Sequence, residues 1–282
     1  MTRLVVPAAV HLVTGPDGPW GAVRRDFART GVGLVHGSTV QWQQQDGESL
    51  RGLLGRDFDR ERRSGPGGAQ FVATRLLVKH LVARLLGTLP GTVELGQALT
   101  GRLYVRGCDQ IDLSLSHTGD VMLVGITSLG RIGVDVEPFD RPLSGSGVER
   151  QMSTAPELAE VADLPEPARN DRLVRRWTLK EAYTKALGLG LAYPFNGFGF
   201  DLDAELPRLL TADGSPVPGR SWHFRTLSVG PSHVGALALH DRTLANPADP
   251  GTPGHPTDVD LSTSLDPRAL LAVRRALHTP TP

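Results

Sequence analysis

Trp177-Thr-Leu-Lys180-Glu181-Ala-Tyr183-Thr-Lys185-Ala-Leu-Gly188-Leu-Gly190 is a helical stretch that places a carboxylate and an ammonium four residues apart. At 3.6 residues per turn Glu181 and Lys185 stand one above the other on one face, so both can reach a single ligand. Surface helices commonly carry the same pair as solvated support, so the spacing alone does not decide. Gly188 is placed to end the helix with a positive φ, and Gly190 to keep the following loop slim. Trp177 and Tyr183 fall at helical spacing and are expected in the core.

Some forty residues upstream, Ile132-Gly133-Val134-Asp135-Val136-Glu137 reads as a strand whose acids alternate with valines. Period two puts Asp135 and Glu137 on one face, roughly 6 to 7 Å apart. Two carboxylates so placed can hold one hard cation, and Mg²⁺ typically takes one or two carboxylates while leaving room for phosphate oxygens.

The remaining chain sets limits on this chemistry. Its 282 residues, 39% of them hydrophobic, suffice for one large core or two smaller ones. The single cysteine, Cys108, makes neither an internal disulfide nor a cysteine zinc site, which fits a reducing cytosol and a cytoplasmic protein. No stretch approaches the length of a membrane span, and Pro7 and His11 interrupt the apolar opening, which reads as a first strand or loop. A formal net charge of zero argues against bulk attraction to nucleic acid.

Residues 69–86, preceded by a Gly/Pro-rich stretch, predict a helix ending at Gly87 and lying against a sheet. Three β-rich runs follow at 111–116, 121–127 and 132–136, separated by turn residues and expected to pair as antiparallel hairpins. Thr154-Ala-Pro-Glu157 is a capping-box pattern opening a helix through about Ala162. Further strands are expected at 198–202, 221–227 and 234–239. The organisation is therefore α+β: an N-terminal half over 1–127, a C-terminal half over 128–245 carrying the acids, and a Pro/Gly-rich linker and tail over 246–282. Within the tail, 265–277 has the pattern of a short amphipathic helix.

Leu113-Ser-Leu-Ser116-His117-Thr118, Gly133-Val-Asp135-Val-Glu137 and the Trp177–Gly190 stretch occur in the order and approximate spacing of the 4′-phosphopantetheinyl transferases. The chain resembles the larger, surfactin-synthetase-activating subtype over about residues 50 to 240. That resemblance implies two similar α+β halves, each a helix packed on a small antiparallel sheet, with the site at their junction and a monomer sufficient. It implies transfer of phosphopantetheine from coenzyme A to a serine of an acyl or peptidyl carrier protein, releasing adenosine 3′,5′-bisphosphate. The carrier's setting, polyketide, nonribosomal peptide or fatty-acid synthesis, stays open. By resemblance Asp135, Glu137 and Glu181 surround Mg²⁺. Lys185 contacts phosphate and stabilises the leaving group, and Ser116 and His117 contact coenzyme A. Glu181 is metal ligand, base for the serine, or both. Two other readings stay open: a non-catalytic coenzyme A or carrier-binding protein of this fold, and a Mg²⁺-dependent pyrophosphate hydrolase acting on coenzyme A or nucleotides.

The chain departs from the family pattern twice. Gly101-Arg102-Leu103 stands where Gly-Lys-Pro is common, and Arg102 is expected to grip phosphate in place of the lysine. Gln70 stands where an arginine usually precedes the helix aromatic, here Phe71, leaving Arg62, Arg63 or Arg75 to compensate. Carrier docking is expected to use Met152 and Leu158 with the Arg169, Arg172, Arg175 and Arg176 cluster.

Overall fold

The computed structural model describes residues 9–43, 47–58, 67–98, 100–189 and 193–244. Gly190, Arg62, Arg63, the linker and the tail helix lie outside the described residues.

The first half begins with β1 (His11–Leu12), α1 (Trp20–Thr30), β2 (Val32–Ser38), α2 (Thr39–Trp42) and α3 (Gly47–Leu54). The long helix α4 (Gly68–Leu86) and the strands β3 (Leu95–Gln97), β4 (Leu103–Val105), β5 (Asp112–Thr118) and β6 (Val121–Thr127) follow. The second half comprises β7 (Gly130–Pro138), α5 (Val148–Met152), α6 (Ala155–Ala162), α7 (Glu166–Leu187), β8 (Phe198–Asp201), β9 (Arg208–Thr211), β10 (Trp222–Val229) and β11 (His233–Asp241). The fold is α+β, as expected. One sheet runs β1-β2-β6-β5 and another β10-β11-β7, with two-stranded ribbons β3-β4 and β8-β9 beside them.

The two main sheets repeat one topology. Leaving β1 aside, in each the first strand in the chain pairs antiparallel with the third, which pairs antiparallel with the second: β2-β6-β5 in one, β7-β11-β10 in the other. The repeat extends to the helices. Arg75, Lys79 and Gly87 of α4 have the same spacing as Arg176, Lys180 and Gly188 of α7, and both glycines close their helices at positive φ, 68° and 76°. Each arginine faces a buried acid, Arg75 with Asp57 and Arg176 with Glu157.

Ile132, Val134 and Val136 of β7 pack with Val32, Leu34, Leu123, Leu237 and Leu239 in an apolar layer between the sheets. Period two therefore turns Gly133, Asp135 and Glu137 the other way, toward α7. A Cβ on Gly133 would lie 1.8 Å from the carbonyl oxygen of Ala182, so only glycine lets helix and strand meet backbone to backbone here. The capping box of α6 forms as expected, Thr154 Oγ1 accepting from the Glu157 amide at 3.3 Å and Glu157 Oε2 from the Thr154 amide at 2.9 Å.

Two expectations are corrected. β6 and β7 do not form a hairpin. Ser128 and Leu129 carry the chain from one sheet into the other, where β7 pairs with β11. Neither is the first sheet wholly antiparallel, because β1 runs parallel to β2. The β5–β7 neighbourhood is instead sewn by side chains. Asp112 Oδ2 accepts from the Ile132 amide at 2.8 Å and Ser114 Oγ from the Val134 amide at 3.1 Å, satisfying backbone donors on the edge of β7.

Candidate active site

The seam continues one step further along β5. Ser116 Oγ donates to Asp135 Oδ1 at 2.7 Å, and Lys185 Nζ donates to the same carboxylate oxygen at 2.7 Å and to Ser116 Oγ at 2.9 Å. Thus β5, β7 and α7, drawn from both halves, meet in one hydrogen-bonded triangle. Asp135 is buried, and its second oxygen, Oδ2, is buried with no hydrogen-bond partner. A carboxylate oxygen left so in an apolar surround is costly unless a cation or donor completes it.

Glu181 lies one turn above Lys185 and is half-buried. Burial, reinforced by the Asp135 charge and opposed by Lys185, pushes its pKa up to about 7. Glu137 is raised in the same direction, by burial first and by Asp135 second, with Arg141 opposing. Arg141 pairs with Glu137 Oε1, Trp177 Nε1 donates to the same oxygen at 3.2 Å, and the Arg141 guanidinium lies 4.3 Å over the Trp177 ring. Trp177 therefore reaches the site, a role its helical spacing did not disclose. Tyr183 is fully buried among Phe198, Phe200, Trp222 and Phe224, as expected of a core residue.

A cavity of about 600 Å³ opens beside these groups. Gln70, Phe71 and Thr74 of α4 form part of one wall, and His117, Glu181 and Lys185 part of another. Ser116, Asp135 and Glu137 are not among the lining residues; Ser116 and Asp135 hold the lining Lys185 from behind. Partial burial, with Lys185 nearby, lowers the His117 pKa, which favours the neutral imidazole. Its Nδ1 lies 3.1 Å from Gln70 Nε2.

Two residues expected to contact coenzyme A have internal partners. Arg102 borders the cavity, but its guanidinium pairs with both oxygens of Asp112 and donates to the carbonyls of Ile132, at 2.6 Å, and Lys185. It clamps the strand seam to the end of α7. The hydroxyl of Ser116 likewise serves Asp135 and Lys185. Both chain positions were legible, but their partners come from residues 10 to 83 positions away, which no local pattern announces.

Among the described residues, no group of three or more His, Cys, Asp or Glu side chains is arranged to hold a metal ion. The reason is visible: Asp135 turns one oxygen to Lys185, and Glu137 turns one to Arg141. The chemistry of the donor set nevertheless fits a hard cation, since the neighbouring acids raise the charge cost of Glu137 and Glu181 and Asp135 Oδ2 is buried without a hydrogen-bond partner.

Lys180 belongs to the scaffold. Its Nζ is fully buried and donates to Glu157 Oε2 at 2.6 Å and to the carbonyls of Met152, Phe195 and Phe198 at 2.7 to 2.8 Å. Burial brings its pKa down to about 8 against the pull of Glu157. Of the residues expected to dock a carrier, Met152 is corrected. Met152 is buried, and the arginines make internal pairs: Arg169 with Glu149, Arg172 with Asp203, Arg175 with Asp171 and Arg176 with Glu160. Arg169, Arg172 and Arg176 fasten α7 to its neighbours, while Arg175 pairs within the helix.

Residues 131–238 match the model of the 4′-phosphopantetheinyl transferase superfamily. A 4′-phosphopantetheinyl transferase of Paxillus involutus is 41% identical over 192 residues, spanning 59% of this chain and 71% of the relative. A phosphopantetheinyl transferase of Thraustochytrium sp. is 27% identical over 259 residues, 86% of this chain and 83% of the relative. The solved holo-(acyl-carrier-protein) synthase of Bacillus anthracis in complex with coenzyme A matches at 20% identity and a TM-score of 0.33, over 39% of this chain and 95% of that one.

Proposed function

The chain belongs to the 4′-phosphopantetheinyl transferase family, and on that premise we propose that it is the enzyme that moves 4′-phosphopantetheine from coenzyme A to a serine of an acyl or peptidyl carrier protein in a Mg²⁺-dependent reaction. The observation that carries the reading is the placement of Glu181 and Lys185 on the cavity wall, with Asp135 and Ser116 holding Lys185 from behind. The two-half architecture in one chain supports the large, surfactin-synthetase-activating subtype and a sufficient monomer. A single cysteine supports a reducing, cytoplasmic setting.

In the proposed reaction the carrier serine oxygen attacks the phosphorus bearing the pantetheine arm. The bond from that phosphorus to the bridging oxygen breaks, and adenosine 3′,5′-bisphosphate leaves with the electron pair. Glu181, a carboxylate on the cavity wall, takes the serine proton. Lys185 neutralises charge on the departing bisphosphate, and Asp135 with Ser116 fixes where its ammonium stands. His117 donates to a coenzyme A phosphate. Asp135, Glu137 and Glu181 would hold Mg²⁺, which when bound supplies charge neutralisation at the pyrophosphate. Phosphoryl transfers of this kind depend chiefly on such positioning and neutralisation.

Mass analysis of an apo carrier incubated with coenzyme A, Mg²⁺ and the enzyme tests the reading. One added phosphopantetheine on serine is expected. Coenzyme A consumed without carrier modification would mean hydrolysis, and binding with neither would mean a non-catalytic module.

A further inference from the structure

We propose that Gln70 is a positioning residue for His117, fixing the imidazole in the tautomer that carries its proton on Nε2 and donates it into the cavity toward a coenzyme A phosphate. The inference rests on the functional reading above. Gln70 Nε2 lies 3.1 Å from His117 Nδ1 and 3.4 Å from the carbonyl oxygen of Gly119. Of the two ends of the amide, only the nitrogen can donate to a carbonyl, so the contact to Gly119 fixes which way the amide points. The same nitrogen then donates to Nδ1, which must be the unprotonated ring nitrogen. The proton of the neutral ring is left on Nε2.

The fold brings the pair together from two elements. Gln70 sits in the first turn of α4, while His117 and Gly119 belong to the end of β5 and its two-residue turn into β6. Both side chains line the cavity. In the neutral ring, which partial burial and Lys185 favour, the tautomer decides whether Nε2 offers a phosphate a donor or a repelling lone pair. The departure from the family's arginine at position 70 thus exchanges a direct charge for control over a neighbouring donor.

Long-range proton–nitrogen spectra of histidine-labelled protein distinguish Nδ1 from Nε2, and calorimetry with coenzyme A reads binding without turnover. His117 in the wild-type protein is expected to carry its proton on Nε2. Gln70→Leu keeps bulk but removes the donor; it should give mixed tautomers and weaken coenzyme A binding about tenfold, the size of one hydrogen bond to a charged group. Gln70→Glu, accepting from the ring, should move the proton to Nδ1 and weaken binding although a hydrogen bond remains. In a His117→Ala background, Gln70→Leu should cost nothing more. A wild-type proton on Nδ1, a tautomer unchanged by Gln70→Leu, or fully additive losses would overturn the assignment. An enzyme that binds coenzyme A yet leaves the carrier unmodified would sink the transfer reading alone, since neither readout needs turnover.

Discussion

Helices α4 and α7 carry the same arginine, lysine and glycine at the same spacing, yet only α7 lies in backbone contact with its sheet. The difference starts at a few small residues. Gly133 on β7, with Ala182 and Ala186 on α7, removes the side chains that would hold helix and strand apart. In the first half, Val35, Met122, Val124 and Ile126 meet Leu76, Leu77 and Leu81 in an ordinary apolar layer, and Phe27 and Val23 of α1 occupy the space over Gly33. Counted inward from the first pair of each hairpin, Val35 stands where the second half has Asp135, and Gly37 where it has Glu137. On the helix, His80 stands in the place of Glu181 and Arg84 in that of Lys185. His80 Nδ1 donates to the Leu76 carbonyl at 2.9 Å and its ring lies 5.1 Å from that of Trp42. In the proposed reading, duplicated architecture therefore yields one site: close approach puts acids and lysine within reach in one half, and core packing fills the equivalent place in the other.

The sharpest contrast is between the two buried lysines. Lys180→Met leaves Glu157 facing one fewer cation in a buried place, and should cost about 3–5 kcal/mol in chemical denaturation. Lys79 donates to the Val93 carbonyl at 2.6 Å, with Asp57 acting at longer range. Lys79→Met should cost less, about 1–2 kcal/mol. Equal losses would remove the asymmetry between the two scaffolds.

Glycine gives the next contrast. Gly133→Ala drives a methyl into the Ala182 carbonyl, and the helix must lift; a loss of about 3 kcal/mol is expected, with carrier modification falling with it. At Gly33 the added Cβ would meet the Ile126 side chain at 3.1 Å, which can give way, so Gly33→Ala should cost about 1 kcal/mol. A harmless Gly133→Ala would show that close approach is not what assembles the site.

The smallest effect concerns Glu181. Its folded pKa of about 7 lies above the ordinary 4.5, so the folded state binds the extra proton between those values. Its contribution to stability is present below pH 4.5 and lost as pH rises through about 7. In divalent-free buffer Glu181→Gln should therefore match wild type near pH 4.5 and exceed it by about 2 kcal/mol above pH 8, after allowance for partial exposure. Thermal unfolding across that range reads the gap, and a gap that is constant with pH would contradict the assigned pKa.

Local patterns disclosed the elements whose signal is local. The alternation in 132–137, the capping box at Thr154 and the terminal glycines Gly87 and Gly188 each depend on a few adjacent residues, and each appears as read. Strand β2 went unread because it is buried on both faces through Val35, so it shows no alternation. The acids and Lys185 were legible as residue types on faces. Their partners were not, because Ser116, Asp135 and Lys185 meet only when two sheets and a helix pack. Met152 shows the same limit: its apolarity was read correctly, but its exposure was not.

The central claim, a single site at the α7–β7 seam, is tested most directly by comparing Lys185→Ala with its counterpart Arg84→Ala. Arg84 donates to the Pro16 carbonyl at 3.2 Å, outside the site. With apo carrier, coenzyme A and Mg²⁺, the mass of the carrier should rise by one phosphopantetheine with wild type and Arg84→Ala at similar rates. With Lys185→Ala the rate should drop about 100-fold or more, the scale of losing one positioned charge-stabilising group. Equal losses in both variants, or full activity in Lys185→Ala, would contradict it.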